Sequence, residues 1–276
     1  MKTKREPLGQ HTWFKIGGPA EIIEPKSKDE FVSAIEWCLE EGRPYRILGN
    51  GSNVLISDNG LDDVVIKNTS ACTGLEANRN TVVAGSSVLL PQFINFSVEH
   101  ELGGVEYLYS VPGTIGGAVF MNAGRGKRLN KTITDHLVSI EVHDGKQVRE
   151  VSVEELEFDH RYSTFQEHEN WAILSATFEL PSQPKNVGKE KIQKRMDYIK
   201  SRDRSTPNAG SVFTNGTRLP MRIFSLGGAK FVQDNRIGNV DNASSSDVER
   251  LIWFAKFLHK FIPALEERDV EIRIWK

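Results

Sequence analysis

Three loops rich in Gly, Asn and Ser are built to approach a phosphate: LGNGSN (48–53), SVPGTIGGAVFMNAG (110–124) and AGSS (84–87). Glycine admits positive φ and close backbone approach, so such loops can turn successive N–H groups toward a pyrophosphate. Gly49-x-Gly51 succeeds the strand-like YRILG (45–49). A Rossmann fingerprint, however, needs a helix next, and the chain continues instead as VLISDNG, a strand and then a turn. That reading fails, and no Walker A lysine motif is present. Any single loop could be a tight turn and nothing more; three in one region favour a bound diphosphate cofactor.

Three further residues could carry proton or charge chemistry, and each has an ordinary alternative. Arg161, in FDHRYSTF (158–165), lies near Glu154, Glu155, Glu157 and Asp159, where a solvated salt bridge is the common role. Ser211 stands in NAGSVF (208–213), a turn entering a strand, and serines there mostly cap or bend the chain. Glu271 alternates with Val270, Ile272 and Ile274, as a half-exposed strand residue beside Arg273 would. No HExxH, CxxC, EF-hand or GxSxG pattern occurs, and the seven histidines show no ligand spacing, so no metal site is expected.

The elements that must position these residues are legible in outline. Ser27 and Glu30 form a capping box ahead of an apolar stripe of Phe31, Ala34, Ile35, Cys38 and Leu39, which predicts a helix ending at Gly42. Short strands are expected at 45–49, 54–57, 64–67 and 81–85. A second helix is expected over 89–100, with Pro91 confined to its first turn. Further strands are expected at 137–144, 147–152 and 171–180. PSQPKNVGKEKIQKR then reads as a linker into a polar helix with Ile192, Met196 and Ile199 on its inner face. A last helix starts in the Ser/Asp run before Val248 and carries Leu251, Ile252, Ala255, Leu258 and Ile262 up to Pro263. Its aromatic flank of Trp253, Phe254, Phe257 and Phe261 is either core or a partner surface. The pattern is α+β, with a boundary near 181.

Composition narrows the function. The chain has 276 residues, 26% of them charged, and a net charge of −2, which points neither to nucleic acid nor to a charge-driven partner. Two cysteines, Cys38 and Cys72, exclude a disulfide framework. No apolar region comes after the basic start and no stretch is long enough to span a bilayer, so a cytoplasmic protein is expected.

The stretches HTWFKIGGPAEIIEPKS (11–27), LGNGSNVLISD (48–58), GGVEYLYSVPGTIGGAVFMNAG (103–124), FDHRYSTF, NAGSVF and DVEIRIW (269–275) resemble, in order, the UDP-N-acetylenolpyruvoylglucosamine reductases. The resemblance implies a vanillyl-alcohol-oxidase-type (PCMH-type) FAD-binding domain in two subdomains over 1–181 and a smaller α+β substrate domain over 182–276. It places FAD contacts on Gly49, Asn50, Gly51, Ser52, Asn53, Gly113, Gly116, Gly117, Asn122, Ala123 and Gly124. It also implies an NADPH-dependent reduction of a UDP-sugar enolpyruvyl ether in peptidoglycan precursor synthesis; apart from the resemblance, a monomer is the expected state, with an oligomer as the alternative. Arg161 would stabilise the negative charge developing on the substrate carboxylate, Glu271 would support it, and Ser211 would donate the proton.

In the C-terminal third the chain departs from the family. STPNAG is short before Ser211, TNGTRLPMRIF drops a glycine-lysine stretch, and KFVQDNRIGN is short and lacks a Lys-His pair. The alternatives are a relative that reduces another nucleotide-linked or carboxylated enol and a flavin-binding protein without turnover.

Overall fold

The computed structural model describes residues 1–125, 131–168, 170–200, 205–214, 216, 220–260 and 269–276. The expected helix residues Phe261 and Ile262, the stop at Pro263 and parts of STPNAG's upstream connection and of TNGTRLP lie outside the described residues. Among the described residues, no helix is long and apolar enough to cross a membrane.

The chain packs as two compact units interleaved in sequence. One comprises Met1–Lys2, Ile23–Asn50 and Val64–Arg202; the other comprises Thr3–Ile22, Gly51–Asp63 and Asp203–Lys276.

In the first unit, helix α1 (Lys28–Glu40) begins where its cap predicts. Ser27 Oγ accepts from the Glu30 N–H, and the Glu30 carboxylate reaches back to the Lys26 amide rather than to that of Ser27. Phe31, Ala34, Ile35 and Cys38 are buried against the parallel pair Tyr45–Leu48 and Val64–Lys67. The larger core lies on an antiparallel sheet in the order 148–152, 137–143, 172–179, 81–85, 75–78. The strand Ala172–Glu179 is central, and its near-continuous apolar sequence is what a strand flanked on both edges and covered on both faces requires. Helix α2 (Leu90–Glu99) covers the sheet with Phe93 packed 4.9 Å from Phe178, and Pro91 sits in its first turn.

The Gly-rich centre holds a helix that no sequence signal announces. Helix α3 (Ile115–Phe120) starts at Thr114, whose Oγ1 accepts from the Gly117 amide. Two glycines make its local propensity poor, and burial of Ile115, Ala118 and Val119 at i, i+3 and i+4 overrides it. It ends in a Schellman motif, with Ala123 N–H on Ala118 O and Asn122 at φ 39°. Helix α4 (Lys185–Lys200) belongs to this unit and packs Ile192 on the same core.

The second unit is built around Phe14, Ile16, Leu55, Phe213, Phe231 and the inner face of helix α5 (Ser245–Lys260). An antiparallel sheet of 225–226, 229–233 and 236–239 lies against it. The terminal strand is shorter than its alternation suggests: only Arg273–Trp275 pair, in parallel, with Val54–Ile56. On α5, Trp253 is 65% exposed and stacked on Phe257, whereas Phe254 packs edge-on against Phe224.

Candidate active site

The loop at 48–53 is shaped by its glycines. Gly51 has φ +62°, and a Cβ there would lie 2.3 Å from His11 O. A Cβ on Gly49 would lie 2.9 Å from Thr114 Oγ1. Asn50 Nδ2 ties this loop to the second one by donating to Pro112 O at 2.5 Å. The N–H groups of Asn50, Gly51, Ser52, Asn53 and Gly113 find no acceptor among the described residues. Backbone donors left open around a loop whose Gly49 and Gly51 leave no room for a Cβ fit a diphosphate-bearing group such as FAD. Gly51→Ala should therefore destabilise the fold by at least ~2 kcal/mol, because left-handed strain adds to a backbone overlap. The check is the denaturant midpoint of the purified variant.

Three of the other expected cofactor contacts carry hydrogen bonds within the protein. Gly116 N–H donates to Ser86 O at 3.0 Å, and Gly117 N–H goes to Thr114. Asn122 donates from Nδ2 to Asp159 O at 2.8 Å and accepts at Oδ1 from Thr134 Oγ1. The AGSS loop is likewise inward. Asn68 Nδ2 donates to Ser86 Oγ, Asn68 Oδ1 accepts from Ser87 Oγ, and Ser87 Oγ accepts from the Cys72 amide. The amides without an acceptor among the described residues are those of 50–53 and 113.

Arg161 occupies a two-residue turn between Phe158–Asp159 and Tyr162–Ser163, at φ +62°. A left-handed conformation costs a non-glycine residue about 1–2 kcal/mol, so glycine would be the stabilising choice there. The side chain explains the exception. Its guanidinium donates to Gly124 O at 3.1 Å and Asn122 O at 3.5 Å, both just past the end of α3. Gln166 Nε2 holds both Arg161 O and Phe120 O, and Ser163 Oγ also donates to Phe120 O. Of the acidic neighbours in sequence, Glu154 and Glu155 are engaged with Ser152.

Ser211 and Glu271 come together in the second unit. Glu271 N–H donates to Val212 O at 2.8 Å, and Phe213 bridges Val270. Asn53 completes the group: its Nδ2 donates to Glu271 O at 3.1 Å and its carbonyl accepts from Arg273 N–H. The turn before Ser211 is made by others, with Asn208 Oδ1 accepting from Gly210 N–H and Gly210 at φ +84°. The Ser211 hydroxyl has no partner among the described residues, which sets aside a capping role. Glu271 itself precedes the terminal strand and is not a member of it. Asn235, which sequence reading passes over, grips the segment after Ser211 from the turn between Ala229–Gln233 and Arg236–Asn239.

Residues 19–149 match the family described as FAD binding domain. A UDP-N-acetylenolpyruvoylglucosamine reductase of Caldanaerobacter subterraneus subsp. tengcongensis is 34% identical over 273 residues, spanning 90% of this chain and 85% of that one. Its namesake from Rubrobacter xylanophilus is 33% identical, spanning 90% and 86%. The chain belongs to the UDP-N-acetylenolpyruvoylglucosamine reductase family. The crystal structure of such a reductase from Thermus caldophilus superposes with a TM-score of 0.78 at 26% identity, covering 100% of both chains. The α+β architecture with an FAD-binding domain of the vanillyl-alcohol-oxidase type is thus the family's own. Family membership also explains why a Gly-x-Gly loop runs here into a strand.

Proposed function

We propose that this chain reduces the enolpyruvyl group of UDP-N-acetylglucosamine enolpyruvate to UDP-N-acetylmuramate, with FAD and NADPH, in the cytoplasmic synthesis of peptidoglycan precursors. Residues 1–181 form the flavin domain in this reading, residues 182–276 supply substrate binding, and the enzyme works as a monomer. The observation that carries it is the Ser211 hydroxyl, without a partner among the described residues, on a segment hydrogen-bonded to the backbone of Glu271.

The open amides of residues 50–53 and 113 would hold the FAD diphosphate. Bound there, FAD supplies hydride transfer from NADPH to the terminal enolpyruvyl carbon. Hydride arrival pushes charge onto the substrate carboxylate. Arg161 answers with a permanent charge and a planar fork, pre-aimed by the Asn122 and Gly124 carbonyls. Glu271 supports the same developing enolate as a protonated carboxyl or through water. Ser211 Oγ delivers a proton to the adjacent carbon, a weak acid effective only by placement.

The protein should purify yellow, with FAD released by denaturation. Covalent tethering through sulfur is unavailable, since Cys38 and Cys72 are buried and desolvation pushes the Cys38 thiol up to about 11. A colourless protein that takes up no added FAD would overturn this. The substrate is tested by anaerobic stopped flow: NADPH bleaches the flavin, and UDP-N-acetylglucosamine enolpyruvate should restore the colour within a turnover. Bleaching without restoration would point to a different carboxylated enol, as the shortened C-terminal segments allow.

A further inference from the structure

We infer that Asn235 is a positioning residue for proton delivery by Ser211, an inference that rests on the functional reading above. Asn235 lies 24 positions after Ser211 in sequence, in the two-residue turn Asp234–Asn235. Its side-chain amide forms both halves of a strand-like pair with one backbone unit. Phe213 N–H donates to Asn235 Oδ1 at 2.9 Å, and Asn235 Nδ2 donates to Phe213 O at 2.8 Å. The two bonds fix the amide's orientation, because a flipped amide would lose both. A third contact uses the backbone, with Val212 N–H on Asn235 O at 3.0 Å.

The opposite edge of the same segment is held by the stretch bearing Glu271. Glu271 N–H donates to Val212 O, and Thr214 N–H donates to Asp269 O. Residues 212–214 are therefore clamped from two sides, and Ser211 is the first residue outside the clamp. A register irregularity between Phe231 and Gln233 precedes the turn. Such bulges re-aim side chains, and this one stands directly before the turn that sends Asn235 to Phe213. Sequence alone offers Asn235 as a turn former. The structure gives its amide to another segment.

The consequence is specific. Ser211 has no hydrogen bond of its own among the described residues to fix its hydroxyl, so its place derives from the backbone of residues 212–214. Shifting a reacting group by an ångström costs up to ~10²-fold in rate. Asn235→Ala should slow return of flavin colour by the enolpyruvyl substrate roughly 10–100-fold and leave bleaching by NADPH within about twofold of wild type. Asn235→Asp keeps the acceptor and loses the donor, and should fall between the two. Amide hydrogen exchange of the peptide spanning 211–214, followed by mass spectrometry on the FAD-loaded protein, should show lost protection in both variants.

A double-mutant cycle separates positioning from general loosening. In a Ser211→Ala background, Asn235→Ala should cause no further slowing of colour return, because the group it places is gone. Equal slowing in both backgrounds would overturn the inference and leave the role of Ser211 standing. If Ser211→Ala alone leaves colour return unchanged, the functional reading fails and this inference with it.

Discussion

Ser211→Ala should leave bleaching of the flavin by NADPH nearly intact and slow colour return with the enolpyruvyl substrate by ~10²–10⁴-fold, the usual cost of a lost general acid. That is roughly 3–5 kcal/mol of barrier. The separation comes from where the proton is needed: hydride entry from NADPH uses none from this side chain, whereas the product carbon has no other assigned donor. The structure sharpens the expectation, since Asn208 and Gly210 make the turn and the hydroxyl has no partner among the described residues. Folding stability of Ser211→Ala should therefore stay within ~0.5 kcal/mol of wild type. Ser211→Cys should partly rescue, because a thiol is a stronger acid of similar reach. Equal loss in both half-reactions would mean that the flavin site itself is disturbed and would count against the assignment.

Arg161→Lys should slow the same half-reaction by about 10²–10³-fold, the cost of losing a preorganised donor to developing charge. Lysine retains the positive charge but not the planar fork that meets a carboxylate with two parallel N–H groups. Lysine also cannot span the Asn122 and Gly124 carbonyls in the same geometry, so the charge would no longer be pre-aimed. Flavin content should be unchanged, which absorbance of the purified variant reports. Wild-type rates in both half-reactions would return Arg161 to an ordinary turn residue. Its left-handed backbone, tolerated where glycine would relax it, makes that outcome unexpected.

The parts legible from sequence are those decided within a few residues. The Ser27 cap and the 3.6-residue stripe of α1 specify that helix, and the apolar run at 172–179 specifies a buried strand. The glycines of 48–53 announce a loop with open backbone donors, since only their missing Cβ atoms permit the approach of His11 and Thr114. Arg161, Ser211 and Glu271 are visible there as residues of a resemblance, not as a geometry.

What the tertiary structure decided is pairing at long range. Helix α3 exists because its apolar face is buried, a fact absent from the sequence IGGAVF. Segments 3–22 and 51–63 pack with 203–276 because Phe14, Ile16 and Leu55 complete a core begun by Val212, Phe213 and Phe231. No local periodicity encodes which apolar face meets which. The same holds for polar groups. Asn122, Gly116 and Gly117 look like cofactor donors by type, and the fold bonds them to Asp159, Ser86 and Thr114. Asn53 and Asn235 look like loop residues, yet they fix the backbones of Glu271 and Phe213. A side-chain amide carries donors and acceptors without specifying their partners; the fold assigns them, because each buried polar group must find a partner at the place where packing leaves it.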